Sequence, residues 1–186
     1  MRSRRLPQDT TPNAWARLLA ERRARGARLI DLTESNPTAV GLGGAGAAEL
    51  RALAEPAGAR YLPDPRGLAV AREAVAAALR EDRRVAVDPE HVVLTASTSE
   101  SYAHLFRLLA DPGDAFLVPE PSYPLFAPLA SLEGVRLEPY RLDYDRRWHL
   151  DRESLERAAL AADGRARAAI VAQPNHPTGS CLEAYE

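Results

Sequence analysis

From about residue 68 onward, short apolar runs alternate with one-sided apolar stripes, a pattern that predicts strands and helices in turn. Leu68 to Arg80 is rich in strong helix formers, with Val75 and Leu79 on its apolar face. Val92, Val93 and Leu94 form a run short enough for a buried strand. The hydroxyl-rich turn Ala96-Ser97-Thr98-Ser99 follows, and Tyr102, Leu105, Phe106 and Leu109 then fall on one helical face. Asp111 to Asp114 reads as a turn, Ala115 to Val118 as a second strand, Pro124 to Leu132 as a helix and Val135 to Leu142 as an alternating strand. Asp151 caps a helix reaching Ala162, and Ala168 to Ala172 is a further strand. The alternation predicts an α/β fold with a doubly wound, mostly parallel sheet.

The first third of the chain reads differently. Thr11, Pro12 and Asn13 start a helix whose apolar stripe, Trp15, Leu18 and Leu19, closes at Gly26, which gives an amino-terminal helical arm. Leu29 to Leu32 is a short strand candidate, and Asn36-Pro37 breaks any helix after it. Gly41 to Gly46 has the spacing of a dinucleotide fingerprint. A proline-containing loop separates it from the nearest strand, so a flexible linker is the better reading and an NAD(P)-dependent oxidoreductase a remote one. Ala47 to Glu55 reads as a short helix, and Pro56 to Gly67 as a turn-rich loop containing Tyr61.

A strand, a hydroxyl-rich turn and a helix in succession aim free backbone N–H groups and a positive dipole end beyond the strand's carboxyl end. That is a way to hold a phosphate, and it makes a phosphorylated cofactor the first hypothesis. Ser97 with Glu100 three residues later is also a capping box, which would close the helix internally with the same hydroxyl. Both readings stand on the turn alone. The 96–99 turn, Tyr123 and the Asn175-His176 turn all come after expected strands, so all three can meet in one crevice.

Composition narrows the partners. The 186 residues are 46% hydrophobic, enough for one sizeable core, and carry a net charge of −2 with the basic residues dispersed, so no nucleic-acid surface is expected. No apolar run approaches a membrane span or a signal peptide core, and a cytoplasmic protein without membrane partners is expected. Cys181 is alone, His91, His104, His149 and His176 show no metal-ligand spacing, and no Gly-x-Ser-x-Gly elbow is present. All 24 Lys-plus-Arg positions are arginine.

Four motifs, in order, carry a family resemblance: SNPT at 35–38, YLPDPRGL at 61–68, LTASTSE at 94–100 leading into DPGDAFLVPEPSY, and QPNHPTG at 173–179. Together they resemble the amino-terminal half of a fold-type I pyridoxal-phosphate enzyme of the class I/II aminotransferases. The resemblance implies an arm and substrate-side loop over 1–45 and part of a large cofactor-binding α/β domain over 46–186. It implies that Ser97 and Thr98 bind the phosphate of pyridoxal 5'-phosphate and that Tyr123 lies over its ring. Tyr61 would reach the partner's phosphate across a homodimer, and Asn36 would lie in the substrate-carboxylate segment. Relatives usually place Asn immediately before Pro-Thr-Gly, donating to the ring's phenolic oxygen. Here that position is His176, preceded by Asn175; an imidazole N–H can make the same bond, so His176 is the preferred donor and Asn175 the alternative. A solvent-facing turn histidine remains a third reading.

By the same resemblance the substrates are an amino acid and a 2-oxo acid. Transamination needs a lysine amine to hold the cofactor and move a proton, and this chain has none. No catalytic residue is therefore expected within it. The expectation is a fragment ending before the Schiff-base lysine and inactive alone, with a non-catalytic cofactor-binding or dimerising module, or half of a split enzyme, as the alternative. Other pyridoxal-phosphate reaction types stay open.

Overall fold

In the computed structural model, residues 3, 5–6, 9–44 and 46–186 are described. Ala45 of the glycine stretch and Met1, Arg2, Arg4, Pro7 and Gln8 of the amino-terminal stretch lie outside the described residues. The chain divides into two compact units, Thr10–Leu94 and Thr95–Glu186 with Met1–Asp9.

The larger unit is a sheet between helices. Its elements in order are α4 (Thr98–Leu109), β1 (Ala115–Glu120), α5 (Phe126–Glu133), β2 (Arg136–Asp145), β3 (Arg147–Leu150), α6 (Arg152–Ala161) and β4 (Ala166–Ala169); α1 to α3 precede them in the other unit. The strand order is β3-β2-β1-β4, with β1 parallel to both β2 and β4 and β3 antiparallel to β2. The fold is α/β with a mostly parallel sheet, as expected.

The period-2 pattern of β1 explains the layering, because successive side chains leave opposite faces of a strand. Phe116 and Val118 pack with Phe106, Phe126, Ala130 and Ile170, under α4 and α5. Leu117 packs with Tyr140, Leu142 and Ala158, under α6. Asp114 enters β1 nearly buried and takes the Arg167 guanidinium at 2.8 Å. That hydrogen bond, and after it the one from the Asp111 N–H, holds its carboxyl below the usual range.

The Thr10–Leu94 unit contains α1 (Ala14–Ala24), α2 (Ala47–Ala52) and α3 (Ala69–Arg83), with short 3-10 turns between them. Asn13 caps α1 by accepting from the Ala16 N–H at 2.8 Å. Its buried centre is Arg72, 3% exposed, which donates to the Gly67 and Pro89 carbonyls and pairs with Glu90 and Asp64. The Leu94 N–H donates to the Arg66 carbonyl at 2.8 Å.

Three strand expectations need correction. Val92–Leu94 forms no ladder, and Val93 is exposed: within its own unit the segment is held by the Leu94 N–H on the Arg66 carbonyl rather than by a neighbouring strand. Leu29–Leu32 is likewise without a ladder, and its apolar side chains are exposed. The last strand lies at Ala166–Ala169, two residues earlier than its apolar composition suggested, because its register is set by pairing with β1. β3 was not anticipated; Arg146, with φ of 59°, turns the chain back along β2.

Gly41 to Gly46 comes after a 3-10 turn at Pro37–Val40 and leads into α2, with no strand before it among the described residues. The strand-turn-helix context that a dinucleotide fingerprint requires is missing there.

Candidate functional site

The carboxyl ends of β1 and β4 and the amino terminus of α4 carry the expected site residues of the sheet unit. Ser97 caps α4, its Oγ accepting the Glu100 N–H at 3.2 Å. The Glu100 carboxylate reaches back to the Ala96 N–H at 2.6 Å, and its other oxygen lies 3.7 Å from His104 Nε2. The capping reading of this turn is therefore realised.

Capping does not exhaust the turn. As an acceptor, Ser97 Oγ still has its own proton to donate. The Thr98 and Ser99 N–H groups sit in the first helical turn, where no intrahelical acceptor exists. Ser97 and Thr98 are both exposed. Two amides, two hydroxyls and the positive end of a twelve-residue helix can together receive an anion. Ser97 Oγ serves both, accepting in the cap and keeping a proton to donate, while the Thr98 hydroxyl and the first-turn amides lie outside the cap.

A line of rings runs from this turn to the strand ends. Tyr102 lies one helical turn beyond Thr98 and meets Phe126 edge-on at 4.8 Å. Phe126 meets Tyr123 at 5.5 Å, and Tyr123 meets the His176 imidazole at 6.1 Å with the planes at 63°. Burial, then the neighbouring Tyr123, pushes the Tyr102 hydroxyl above its ordinary range. Tyr123 is half-buried and His176 exposed, so both rings are anchored on one side and open on the other.

Asn175 and His176, adjacent in sequence, have opposite surroundings. Asn175 is 6% exposed, and its Nδ2 donates to the Pro121 carbonyl at 3.1 Å and Thr178 Oγ1 at 3.0 Å. Both amide protons are thereby committed. The free imidazole of His176 is the available donor of the pair.

Tyr61 and Asn36 belong to the Thr10–Leu94 unit. Tyr61 is 89% exposed. Asn36 Oδ1 accepts from the Thr38 N–H at 3.0 Å and the Thr38 hydroxyl at 2.7 Å, which caps the 3-10 turn and leaves its Nδ2 donors.

Reading the residues alone missed Pro121 and Thr178 as anchors of the 175–180 turn. The i, i+3 spacing of Asn175 and Thr178 was a local signal for one of them; nothing local pointed to Pro121, 54 positions away. The described residues include no group of three or more His, Cys, Asp or Glu arranged for a metal, and no helix long and apolar enough to cross a membrane.

Residues 28–186 match the family described as aminotransferase class I and II. The chain is similar to glutamate–glyoxylate aminotransferase 1 of Arabidopsis thaliana, 35% identical over 64% of this chain and 26% of that protein. It is also similar to 1-aminocyclopropane-1-carboxylate synthase 5 of Oryza sativa subsp. japonica, 34% identical over 82% of this chain and 30% of that protein. Among solved structures, a double mutant of Thermus thermophilus aspartate aminotransferase superposes with a TM-score of 0.75 at 29% identity, covering 100% of this chain and 48% of that one. Alanine aminotransferase from Pyrococcus furiosus gives 0.75 at 28% identity, covering 89% and 42%. The chain thus spans about a quarter to a third of these curated relatives and less than half of the solved ones.

Proposed function

The chain belongs to the aminotransferase class I and II family, and from that premise we propose that it supplies the phosphate cradle and one wall of the ring site in an enzyme moving an amino group between an amino acid and a 2-oxo acid. The family depends on pyridoxal phosphate. The observation that carries the reading is the approach of Tyr123 to His176 at 6.1 Å, joined by edge-to-face rings to the helix whose first amides are free. These residues fit the cofactor: a dianion suits the Thr98 and Ser99 amides, and a flat heterocycle suits an aromatic face beside an imidazole donor.

In this reading Ser97 and Thr98 hold the phosphate, each adding a hydroxyl to the helix amides. Tyr123 lays an aromatic surface on the ring and excludes water from that side. His176 donates an N–H to the phenolic oxygen and so fixes the ring's tilt. When bound, pyridoxal phosphate supplies an electron sink for bonds at the substrate's α-carbon. Asn36 offers its Nδ2 to the substrate carboxylate. Tyr61 serves the phosphate site of a second copy in a homodimer, which suits its exposure.

The 186 residues contain no lysine, so the amine that must hold the cofactor and shuttle the proton comes from residues outside them, and these residues alone are inactive. Residues 1–45 act as arm and substrate-side loop, 46–186 as part of the large domain, in a cytoplasmic protein. The similarity to a 1-aminocyclopropane-1-carboxylate synthase over 82% of the chain favours a second reading, in which the same cradle serves a reaction other than amino transfer.

The test is titration of the complete protein carrying these residues with pyridoxal phosphate, monitored by absorbance, then a transfer assay over amino acid and 2-oxo acid pairs. Saturable binding weakened by Thr98→Val and His176→Ala, with transfer to at least one 2-oxo acid, is the expected result. Absence of saturable binding would overturn the proposal, and cofactor turnover without amino transfer would select the second reading.

A further inference from the structure

Asn175 is partnered on one edge of its carboxamide only. Nδ2 donates to the Pro121 carbonyl and to Thr178 Oγ1. A proline carbonyl can only accept, so the amide cannot be turned end for end without facing two acceptors with each other. Oδ1 is therefore the atom left over, and it is buried without a partner. The Asn175 backbone is fixed as well: its N–H donates to the Ser180 carbonyl and its carbonyl accepts from the Gly179 N–H, both at 2.7 Å.

The Nδ2 contact to Pro121 joins two ring-bearing loops. Pro121 opens the loop that presents Tyr123 two residues later, and Asn175 immediately precedes His176. One side chain thus ties together the two loops whose rings stand 6.1 Å apart. Among the described residues, the Asn175–Pro121 hydrogen bond is the polar link between these two loops.

The unpartnered edge has a setting of its own. Behind the turn lies a cavity of about 20 Å³, lined among others by Asn175, Ser180, Cys181, His149, Trp148 and Leu142. Asn175 borders that cavity, but its Oδ1 is closed to solvent and accepts no hydrogen bond in the structure.

We propose that Asn175 is a positioning residue that sets the spacing of Tyr123 and His176. The consequence for cofactor binding rests on the reading that these two rings hold the pyridine ring. The Nδ2 edge works across the two loops, and the link is kept although the Oδ1 edge is buried with nothing to accept.

The experiment uses the complete protein carrying these residues, titrated separately with pyridoxal phosphate and with inorganic phosphate. Asn175→Leu should raise the dissociation constant for pyridoxal phosphate about tenfold, the worth of one or two hydrogen bonds. Inorganic phosphate, held at Ser97 and Thr98, should shift by less than about twofold. Where Tyr123→Ala and His176→Ala weaken pyridoxal phosphate, an unchanged affinity for both ligands in the leucine variant would overturn the spacing role, and so would an equal loss of both, because general unfolding removes both sites together. Thr178→Val keeps the Pro121 bond and should cost about threefold or less; a loss equal to that of the leucine variant would contradict the assignment to Pro121.

Crystal structures provide readouts independent of the cofactor. The leucine variant should show the Tyr123–His176 separation altered by about 0.5 Å or more, the tolerance of a pre-organised site; an unchanged separation overturns the spacing role. If Tyr123→Ala and His176→Ala leave pyridoxal phosphate affinity untouched while the leucine variant alters the separation, the cofactor reading fails and the spacing role stands.

Discussion

Tyr140 donates its hydroxyl proton to the Ile170 carbonyl at 2.7 Å, a bond from β2 to the chain leaving β4 with β1 between them in the sheet. The hydroxyl is deeply buried, and burial pushes its pKa up to about 12. The bond holds down the segment that continues into the His176 turn, so the stability of the site's floor is tied to one proton.

Tyr140→Phe should destabilise the fold by about 1–3 kcal/mol, because it leaves a buried carbonyl without its donor. The raised value also sets a pH dependence. The folded state retains the proton that the unfolded chain releases near 10, so the stabilisation is complete below pH 10 and lost as pH rises through about 12. Urea unfolding at pH 8 and pH 11 should show a decline in the natural protein that is smaller in the phenylalanine variant. An equal decline in both would contradict this dependence on the Tyr140 proton.

Ser97 and Thr98 should separate capping from anion binding. Ser97→Ala removes both the cap acceptor and a phosphate donor, and should cost about 1 kcal/mol of stability together with phosphate affinity. Thr98→Val removes a hydroxyl outside the cap, and should leave stability within about 0.5 kcal/mol while weakening phosphate. Thermal melts paired with phosphate titration check both; a Thr98 variant with unaltered phosphate affinity would remove that residue from the cradle.

In the Thr10–Leu94 unit, Arg72 and Gly67 hold the turn after Tyr61 and Leu62. Gly67 has φ of +90°, and a Cβ there would stand 2.7 Å from that of Leu94. Gly67→Ala is expected to cost roughly 1–3 kcal/mol through strain and overlap. Arg72→Met leaves the Gly67 carbonyl without its donor and takes the guanidinium from the Pro89 carbonyl, Asp64 and Glu90, which keep the Val92 N–H, the Arg66 N–H and the Arg66 side chain respectively. Amide exchange at Leu94, whose N–H reaches the Arg66 carbonyl, should quicken by about tenfold or more in both variants. Unchanged exchange would show that the turn does not depend on this cluster.

The outer side of α4 and the end of β4 should drive self-association of these 186 residues studied alone. Leu108 is 78% exposed and Val171 51%, while Leu105 and Leu109 border a groove of about 250 Å³ with Ile170 and Val171. β4 pairs on one side only among the described residues, and an uncovered strand edge beside apolar side chains invites pairing with another copy. Light scattering should rise with concentration, and Leu108→Glu with Val171→Lys should reduce it. A monodisperse monomer at all concentrations would refute the prediction.

Caps and helices were legible because their determinants lie three or four residues apart. Asp151 accepts from the Ser154 N–H and Ser97 from that of Glu100, each spacing visible in the sequence. Strands were less legible. Val92-Val93-Leu94 carries the right residues for a strand but meets no partner, whereas the charged, half-exposed Arg147–Leu150 forms one because β2 lies beside it.

By itself the order of residues determined the alternation of elements, the capped helix start, the family and the absence of a lysine. Those properties depend on composition and on spacings within a turn or two of chain. Tertiary structure alone decided that Asn175 is clamped inside while His176 faces out, and that Tyr123 stands across from it. Neighbouring residues in a turn point in different directions, and which one meets a carbonyl 54 positions away is settled only when the strands that carry both loops are packed side by side.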